Sequence, residues 1–204
     1  MSHHHQQQDD EDDFGHSLTS GYKPGEKKTI SEYHNLDADD EALRRWKESL
    51  GVTNAIAATG AGSHADDRHN VVVLELALEV EGREDVVLDL TMTPDELKQQ
   101  TFIIKEGVEY RLKVAFKVQH SLVSGLKYKQ VVKRSGVRFD KTEEMIGSYA
   151  AKPDTIVKKF LKDEAPSGMI ARGKYDVRSQ FIDDDGTIHK QWDWTFQIKK
   201  DWKN

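Results

Sequence analysis

The chain contains no cysteine. That excludes a disulfide framework, a thiolate zinc site and a thiol nucleophile, and it fits a reducing, cytosolic setting. No apolar run approaches the roughly 20 residues needed to span a bilayer, so the 204 residues are expected to be soluble. The start, Met1-Ser2-His3-His4-His5-Gln6-Gln7-Gln8, lacks the apolar core of a signal peptide. Its three histidines fit either a tag remnant or a native polar tract, and the stretch is left out of fold reasoning. No Asn-x-Ser/Thr acceptor occurs. The histidines at 34, 64, 69, 120 and 189 lack metal-ligand spacing, and no serine sits in a nucleophile elbow. No catalytic residue, metal or cofactor is therefore expected, and the chain reads as a non-enzyme. With 36 acidic against 30 basic residues the net charge is −6, which argues against a nucleic-acid partner and suits a basic protein surface.

What is present falls into two unlike parts, an N-terminal arm over residues 1–69 and a domain over residues 70–204. Residues 1–28 carry the acidic run Asp9-Asp10-Glu11-Asp12-Asp13 and few large apolar groups beyond Phe14, Leu18 and Tyr22, so they are expected to be disordered when free. Thr29-Ile30-Ser31-Glu32 matches a capping box, which predicts a short helix near 30–34. A second helix is predicted near 38–50. Asp37 or Asp39 serves as its N-cap, acids fill its first turn, Glu41 and Arg45 form an i,i+4 pair, and Gly51 supplies the stop. Leu36, Leu43, Trp46 and Leu50 share one narrow face. An apolar stripe on a polar arm needs an external partner. The segment through Arg68 has the composition of a flexible tether.

From Asn70 the hydrophobic period changes to two. Leu74, Leu76, Leu78 and Val80 alternate with Glu75, Ala77, Glu79 and Glu81, and Tyr110, Leu112, Val114, Phe116 and Val118 alternate with charged neighbours and Ala115. Similar patterns mark Val86-Leu90, Phe102-Ile104, Leu126-Tyr128, Tyr175-Phe181 and Trp192-Ile198, so seven or more antiparallel strands are predicted. One short helix interrupts them, with Thr93 as N-cap and Pro94 at its first position. The class is all-β, an immunoglobulin-like β-sandwich.

Asp183-Asp184-Asp185-Gly186 invites a calcium reading, but the glycine comes too early for an EF-hand loop and no closing glutamate follows. A hairpin turn leaving an exposed negative knob is the stronger reading. Trp192 and Trp194 share a face with Phe196 and Ile198, as ordinary core or as the lining of an aromatic gap for a long apolar ligand. Asp163-Glu164 reads as a solvated loop able to meet basic residues of a partner. Lys127, Lys129, Lys133, Arg134 and Lys141 read as a solvated strand face, with membrane-surface contact as the sharper alternative.

Several ordered segments carry a more specific signal. They are Leu36-Asp37-Ala38-Asp39-Asp40-Glu41 with Trp46-Lys47-Glu48, then Lys105-Glu106-Gly107-Val108-Glu109-Tyr110, Val123-Ser124-Gly125-Leu126-Lys127-Tyr128, Glu164-Ala165-Pro166-Ser167-Gly168, Ala171-Arg172-Gly173 and Phe181-Ile182-Asp183-Asp184-Asp185. From about Tyr22 to Lys203 the chain resembles the Rho GDP-dissociation inhibitor family. The resemblance implies an arm that folds into its two helices on the switch regions of a GDP-bound, prenylated Rho-family GTPase, and a sandwich that takes up the geranylgeranyl tail. Such a protein blocks GDP release and extracts its client from membranes as a cytoplasmic monomer forming a 1:1 complex. By matching positions, Tyr22, Asp39, Asp40, Leu43, Trp46, Ser124, Asp184 and Asp185 would contact the GTPase. Leu78, Phe102, Tyr110, Leu122, Val177 and Trp194 would line the lipid slot, and Asp163 and Glu164 would meet the basic tail. Glu144 stands where the family leads one to expect a large aromatic residue, and Thr101 and Lys174 stand where relatives carry serine. A general carrier of prenyl or lipid tails is the rival reading, and a structural adapter without a slot is a third.

Overall fold

The computed structural model describes residues 13–14, 32, 35–36, 39–49 and 69–202. The contact expected of Tyr22, the tether and the helix near 30–34 lie outside the described residues apart from Glu32, as do Leu50 and the side chain of Trp46. In chain order the described elements are α1 (Glu41–Ser49), β1 (Val71–Val80), β2 (Val86–Asp89), α2 (Pro94–Gln99), β3 (Thr101–Lys105) and β4 (Glu109–Val118). They continue with β5 (Val123–Arg134), β6 (Val137–Tyr149), β7 (Lys152–Glu164), β8 (Gly173–Ile182) and β9 (Ile188–Lys199).

The arm helix α1 forms where the sequence predicts it, with one difference in its cap. The Asp40 carboxylate accepts hydrogen bonds from the amides of Ala42 at 2.9 Å and Leu43 at 3.1 Å. Asp40 therefore fills the role expected of Asp37 or Asp39, because its carboxylate reaches the free donors of the first turn. Arg45 pairs with Glu41 as expected. In α2, Thr93 and Glu96 form a reciprocal capping box, Pro94 opens the helix, and Leu97 plugs into the core.

The strands build two sheets in the orders β2-β1-β4-β7 and β3-β9-β8-β5-β6. Period-2 alternation gives each sheet one apolar face, and burying both faces against each other creates the all-β sandwich of immunoglobulin-like kind. Leu76, Leu78, Val114 and Phe116 from one sheet meet Leu126, Tyr175, Phe181 and Trp194 from the other in a single core cluster. Each such side chain contributes on the order of 1.5–3 kcal/mol by leaving water.

Four sequence-based expectations need correction. Pairing is antiparallel except between β3 and β9, which run parallel because the connection after α2 lays β3 beside the last strand. A register shift between Val73 and Glu75 changes the phase of β1, so Val73 and Leu76 both enter the core, Leu74 is half-buried and Ala77 is buried. Asp163 and Glu164 end β7, paired with Tyr110 and Glu109, instead of lying in a loop. Lys129 is not solvated. It is 1% exposed, and burial pulls its ammonium below the usual lysine range against the opposing effect of Glu143.

Candidate functional site

β6 and β7 are the outer strands of their respective sheets, and they lie at the same side of the sandwich. Among the described residues, neither has a strand beyond it to close the gap between layers. There a cavity of about 530 Å³ enters between the sheets. Its apolar walls come from Tyr110 and Leu112 on β4, Phe160 on β7, Tyr128 and Val132 on β5, Tyr175 on β8, and Phe196 and Ile198 on β9. The rim is polar, with Asp140, Thr142 and Glu144 on β6 facing Lys162, Asp163 and Glu164 on β7. The size lies within the roughly 300–1,000 Å³ typical of small-molecule sites.

Buried hydroxyl groups inside the sandwich are held by one another. The Tyr128 hydroxyl donates to Gln130 Oε1 at 2.7 Å and lies 2.9 Å from Ser179 Oγ, which also accepts from Trp194 Nε1 at 3.0 Å. Tyr110 donates to Asp163 at 3.2 Å. Burial, reinforced by the Asp163 charge, pushes the Tyr110 phenol well above its ordinary value, and burial does the same for Tyr128. Both stay protonated donors at physiological pH. Tyr110 therefore ties the acidic rim to the apolar wall.

One lip of the cavity includes Ala165 and Pro166, which lead into the connection from β7 to β8. Glu106 braces that connection. Its carboxylate takes both Arg172 Nε at 2.9 Å and Arg172 Nη2 at 2.6 Å, and also accepts from the Gly168 amide at 2.9 Å. Those bonds, Arg172 first, hold the Glu106 carboxyl below the usual glutamate range. The Arg134 guanidinium donates to the Arg172 carbonyl at 2.8 Å, securing the far end.

A second group of candidate residues gathers where β5 begins and the β8–β9 hairpin turns. The Asp183-Gly186 reading as a turn holds. Gly186 has φ +78° and donates to the Asp183 carbonyl, while the Asp183 carboxylate accepts from Thr187 and contacts His189 at 3.0 Å. The Asp184 amide donates to the Ser124 carbonyl, and Lys127 Nζ lies 3.5 Å from the Asp184 carboxylate. Gly125 has φ +58°, and a Cβ there would collide with that carboxylate, so the position requires glycine twice over. Ser124 and Asp184 are thus brought together, with Asp185 next along the turn.

The six residues expected to line a lipid slot divide differently. Tyr110 lines the cavity. Leu78, Phe102, Val177 and Trp194 are packed in the core directly behind it. Phe102 sits 5.2 Å from Trp194, which sits 6.0 Å from the cavity residue Phe196, and Leu78 is paired with the cavity residue Leu112. Leu122, in the β4–β5 connection, is half-buried and does not line the cavity. Phe160 was missed because β7 shows little alternation. Glu144 stands on the rim of the cavity. Asp39, Asp40 and Leu43 are exposed on or beside α1.

This geometry defines a class of protein, a two-sheet β-sandwich opened along one edge by a cavity with apolar walls. The family model of the RHO protein GDP dissociation inhibitor matches residues 2–201. The chain is 43% identical over 182 residues to the Rho GDP-dissociation inhibitor of Schizosaccharomyces pombe, covering 88% of this chain and 86% of that one. It is 44% identical over 184 residues to the human Rho GDP-dissociation inhibitor 1, covering 90% and 87%. It is also 42% identical over 187 residues to the Saccharomyces cerevisiae Rho GDP-dissociation inhibitor, covering 88% and 90%. The chain belongs to the Rho GDP-dissociation inhibitor family.

Proposed function

We propose that this chain binds a prenylated Rho-family GTPase in its GDP-bound form, slows release of the nucleotide, and lifts the GTPase from membranes by sheltering its geranylgeranyl tail. It acts as a regulator and not as an enzyme, in the cytoplasm, as a monomer forming a 1:1 complex. The observation that carries this reading is the apolar cavity of about 530 Å³ between the sheets of a chain that matches the family over nearly its whole length.

The tail enters between β6 and β7, over Tyr110, Phe160 and Phe196. It reaches Phe102, Val177, Trp194 and Leu78, which are packed behind that wall in the empty protein, only as the wall opens around it, with Leu122 toward its far end. Burying a twenty-carbon chain at about 0.8 kcal/mol per methylene is worth on the order of 10 kcal/mol, comparable with what the bilayer gives it. Transfer into the slot is then near neutral, and protein contacts must tip the balance. The arm supplies them. Asp40 approaches switch I, with Asp39 beside it in sequence and Leu43 and Trp46 packing alongside, Tyr22 adds a further contact to the GTPase, and Ser124, Asp184 and Asp185 meet switch II. Burial of that face offsets the cost of ordering the arm. Asp163 and Glu164 attract the basic segment beside the prenylated cysteine.

The test measures release of labelled GDP from prenylated and unprenylated GTPase, and recovery of the prenylated form from vesicles. Slower release with both forms, together with vesicle extraction, is expected. Unchanged release in both overturns the reading, whereas extraction that survives deletion of residues 1–60 points to a lipid-tail carrier instead. Asp40→Ala loses its cap, worth about 1 kcal/mol or roughly fivefold, and its contact with the GTPase as well, so a fall in affinity beyond fivefold is expected.

A further inference from the structure

The outer face of the five-stranded sheet, turned away from the cavity, contains a patch that the inter-sheet core does not account for. Along β5 the residues Leu126, Tyr128 and Val132 point inward, so Lys129, Val131 and Lys133 point outward. Val131 is nevertheless 0% exposed and lies outside the core cluster. An apolar side chain on the outside of a sheet stays dry only when something covers it.

The cover is identifiable from the register. Val131 is paired with Lys141 on β6 and with Arg178 on β8. Those two cations, with Lys133 one step along the same face, hold residues 13 and 14 of the arm. Lys133 Nζ donates to Asp13 Oδ2 at 2.6 Å, the Arg178 guanidinium lies 3.7 Å from the same oxygen, and Lys141 Nζ donates to the Phe14 carbonyl at 2.9 Å. Phe14 is 7% exposed although it too lies outside the inter-sheet core. Arg178 is steadied from its other side by Asp193 at 2.9 Å.

We propose that Asp13-Phe14 is an intramolecular docking motif. Its aromatic ring covers Val131 and its carboxylate and carbonyl are gripped by Lys133, Arg178 and Lys141, which fastens the N-terminal end of the arm to the outer face of the sheet. The chemistry of the groove supports this occupant. It offers an apolar floor between three cations, and the segment offered to it is an aromatic residue preceded by the acidic run Asp9-Asp10-Glu11-Asp12-Asp13. Cations aligned with successive acids steer the segment to the face, and desolvation of the ring holds it there. The attachment leaves the cavity mouth free because it lies on the opposite side of the sheet. The arm is thereby fastened at a point ahead of α1, so that α1 sits within a closed length of chain instead of on a loose tail. This inference does not depend on the lipid or GTPase reading.

The absence of native cysteine allows a direct test in the full chain. His16→Cys carries a single nitroxide label, and the amide resonances of the sandwich report its proximity. The expected result is that signals of Val131, Lys133, Lys141 and Arg178 lose more than half their intensity, while those of β1 and β2 in the other sheet keep theirs. Phe14→Ala and Asp13→Lys should each restore the lost signals without moving resonances of the core, since neither residue belongs to it. Pairing Asp13→Lys with Lys133→Glu should recover much of the effect. Intensity loss that is absent, spread evenly over both sheets, or unchanged by Phe14→Ala overturns the proposal. So does equal loss when spin-labelled chains without isotope are mixed with isotope-labelled chains without spin label, because the motif would then occupy a second copy.

Discussion

At the mouth of the cavity, β6 and β7 together bury only Ile146, Ile156 and Phe160, whereas the corner formed by Ser124, Gly125, Lys127 and Asp184 is fixed by backbone, charge and steric constraint at once. The mouth is held by little because its strands have one neighbour each and few inward side chains. The corner tolerates almost no rearrangement. The cavity opens where packing is thin, and the charged corner stands where two strands and a turn lock it. Glu106 and Arg172 lie between these extremes, since they brace one lip of the mouth with a bidentate ion pair.

The contrast can be broken most decisively with two phenylalanines. Phe181 is fully buried and packs within 6.0 Å of Phe116, Tyr128 and Trp192. Phe181→Ala is expected to destabilise by about 3–5 kcal/mol in denaturant titration. Phe160 stacks on Tyr128 at 4.7 Å but already borders empty space, so Phe160→Ala should cost roughly half as much or less. Equal losses would mean that the mouth is packed as tightly as the centre.

The corner is sharpened by Gly125→Ala, which places a side chain at positive φ and against the Asp184 carboxylate. A loss of more than about 1 kcal/mol is expected, with part of it recovered when Asp184→Ala is added. Purely additive losses would show that only the backbone angle matters.

The smallest effect concerns the brace, and its sign follows from the lowered Glu106 value. A carboxylate held below its unfolded value of 4.5 contributes fully above that pH, and its contribution fades as pH falls through the folded value. The Gly168 amide should therefore exchange well below its intrinsic rate at pH 7, approach the intrinsic rate for that pH on acidification below 4.5, and follow the intrinsic rate at both pH values in Glu106→Gln. Protection that persists in the variant would assign the ordering of the lip to Arg134 alone.

How much of this was legible depended on position in the sheet. The interior strands declare themselves, because Tyr110 to Val118 and Trp192 to Ile198, each flanked by a strand on both sides, turn one face into the core and alternate accordingly. β6 and β7 do not. As outer strands they expose most side chains on both faces, so no period survives, and Asp163-Glu164 passed for a loop. The bulge near Val73 cannot be read from composition, since Leu74 is as apolar as its neighbours. Leu112, Tyr175 and Phe196 were readable as inward-facing or aromatic strand residues. Whether an inward residue meets a partner or a void is decided by the facing sheet, which explains why Phe102, Val177 and Trp194 lie behind the cavity and not on its surface. The burial of Val131 lay beyond any local reading because the segment proposed to cover it, Asp13-Phe14, is more than a hundred residues away.

The parallel pairing of β3 with β9 has a consequence in time. Thr101 and Thr195, 94 residues apart, share a hydrogen bond, and Ile104 and Ile198, paired across the same two strands, both line the cavity. β9 lies between β3 and β8, so β3 has no neighbour in its sheet until the last strand has been made. During synthesis, at about 5–20 residues per second, β3 waits several seconds for that neighbour to emerge. A ribosome-bound chain lacking β9 would leave Phe102 and Ile104 uncovered, and such a chain is a natural client for a chaperone.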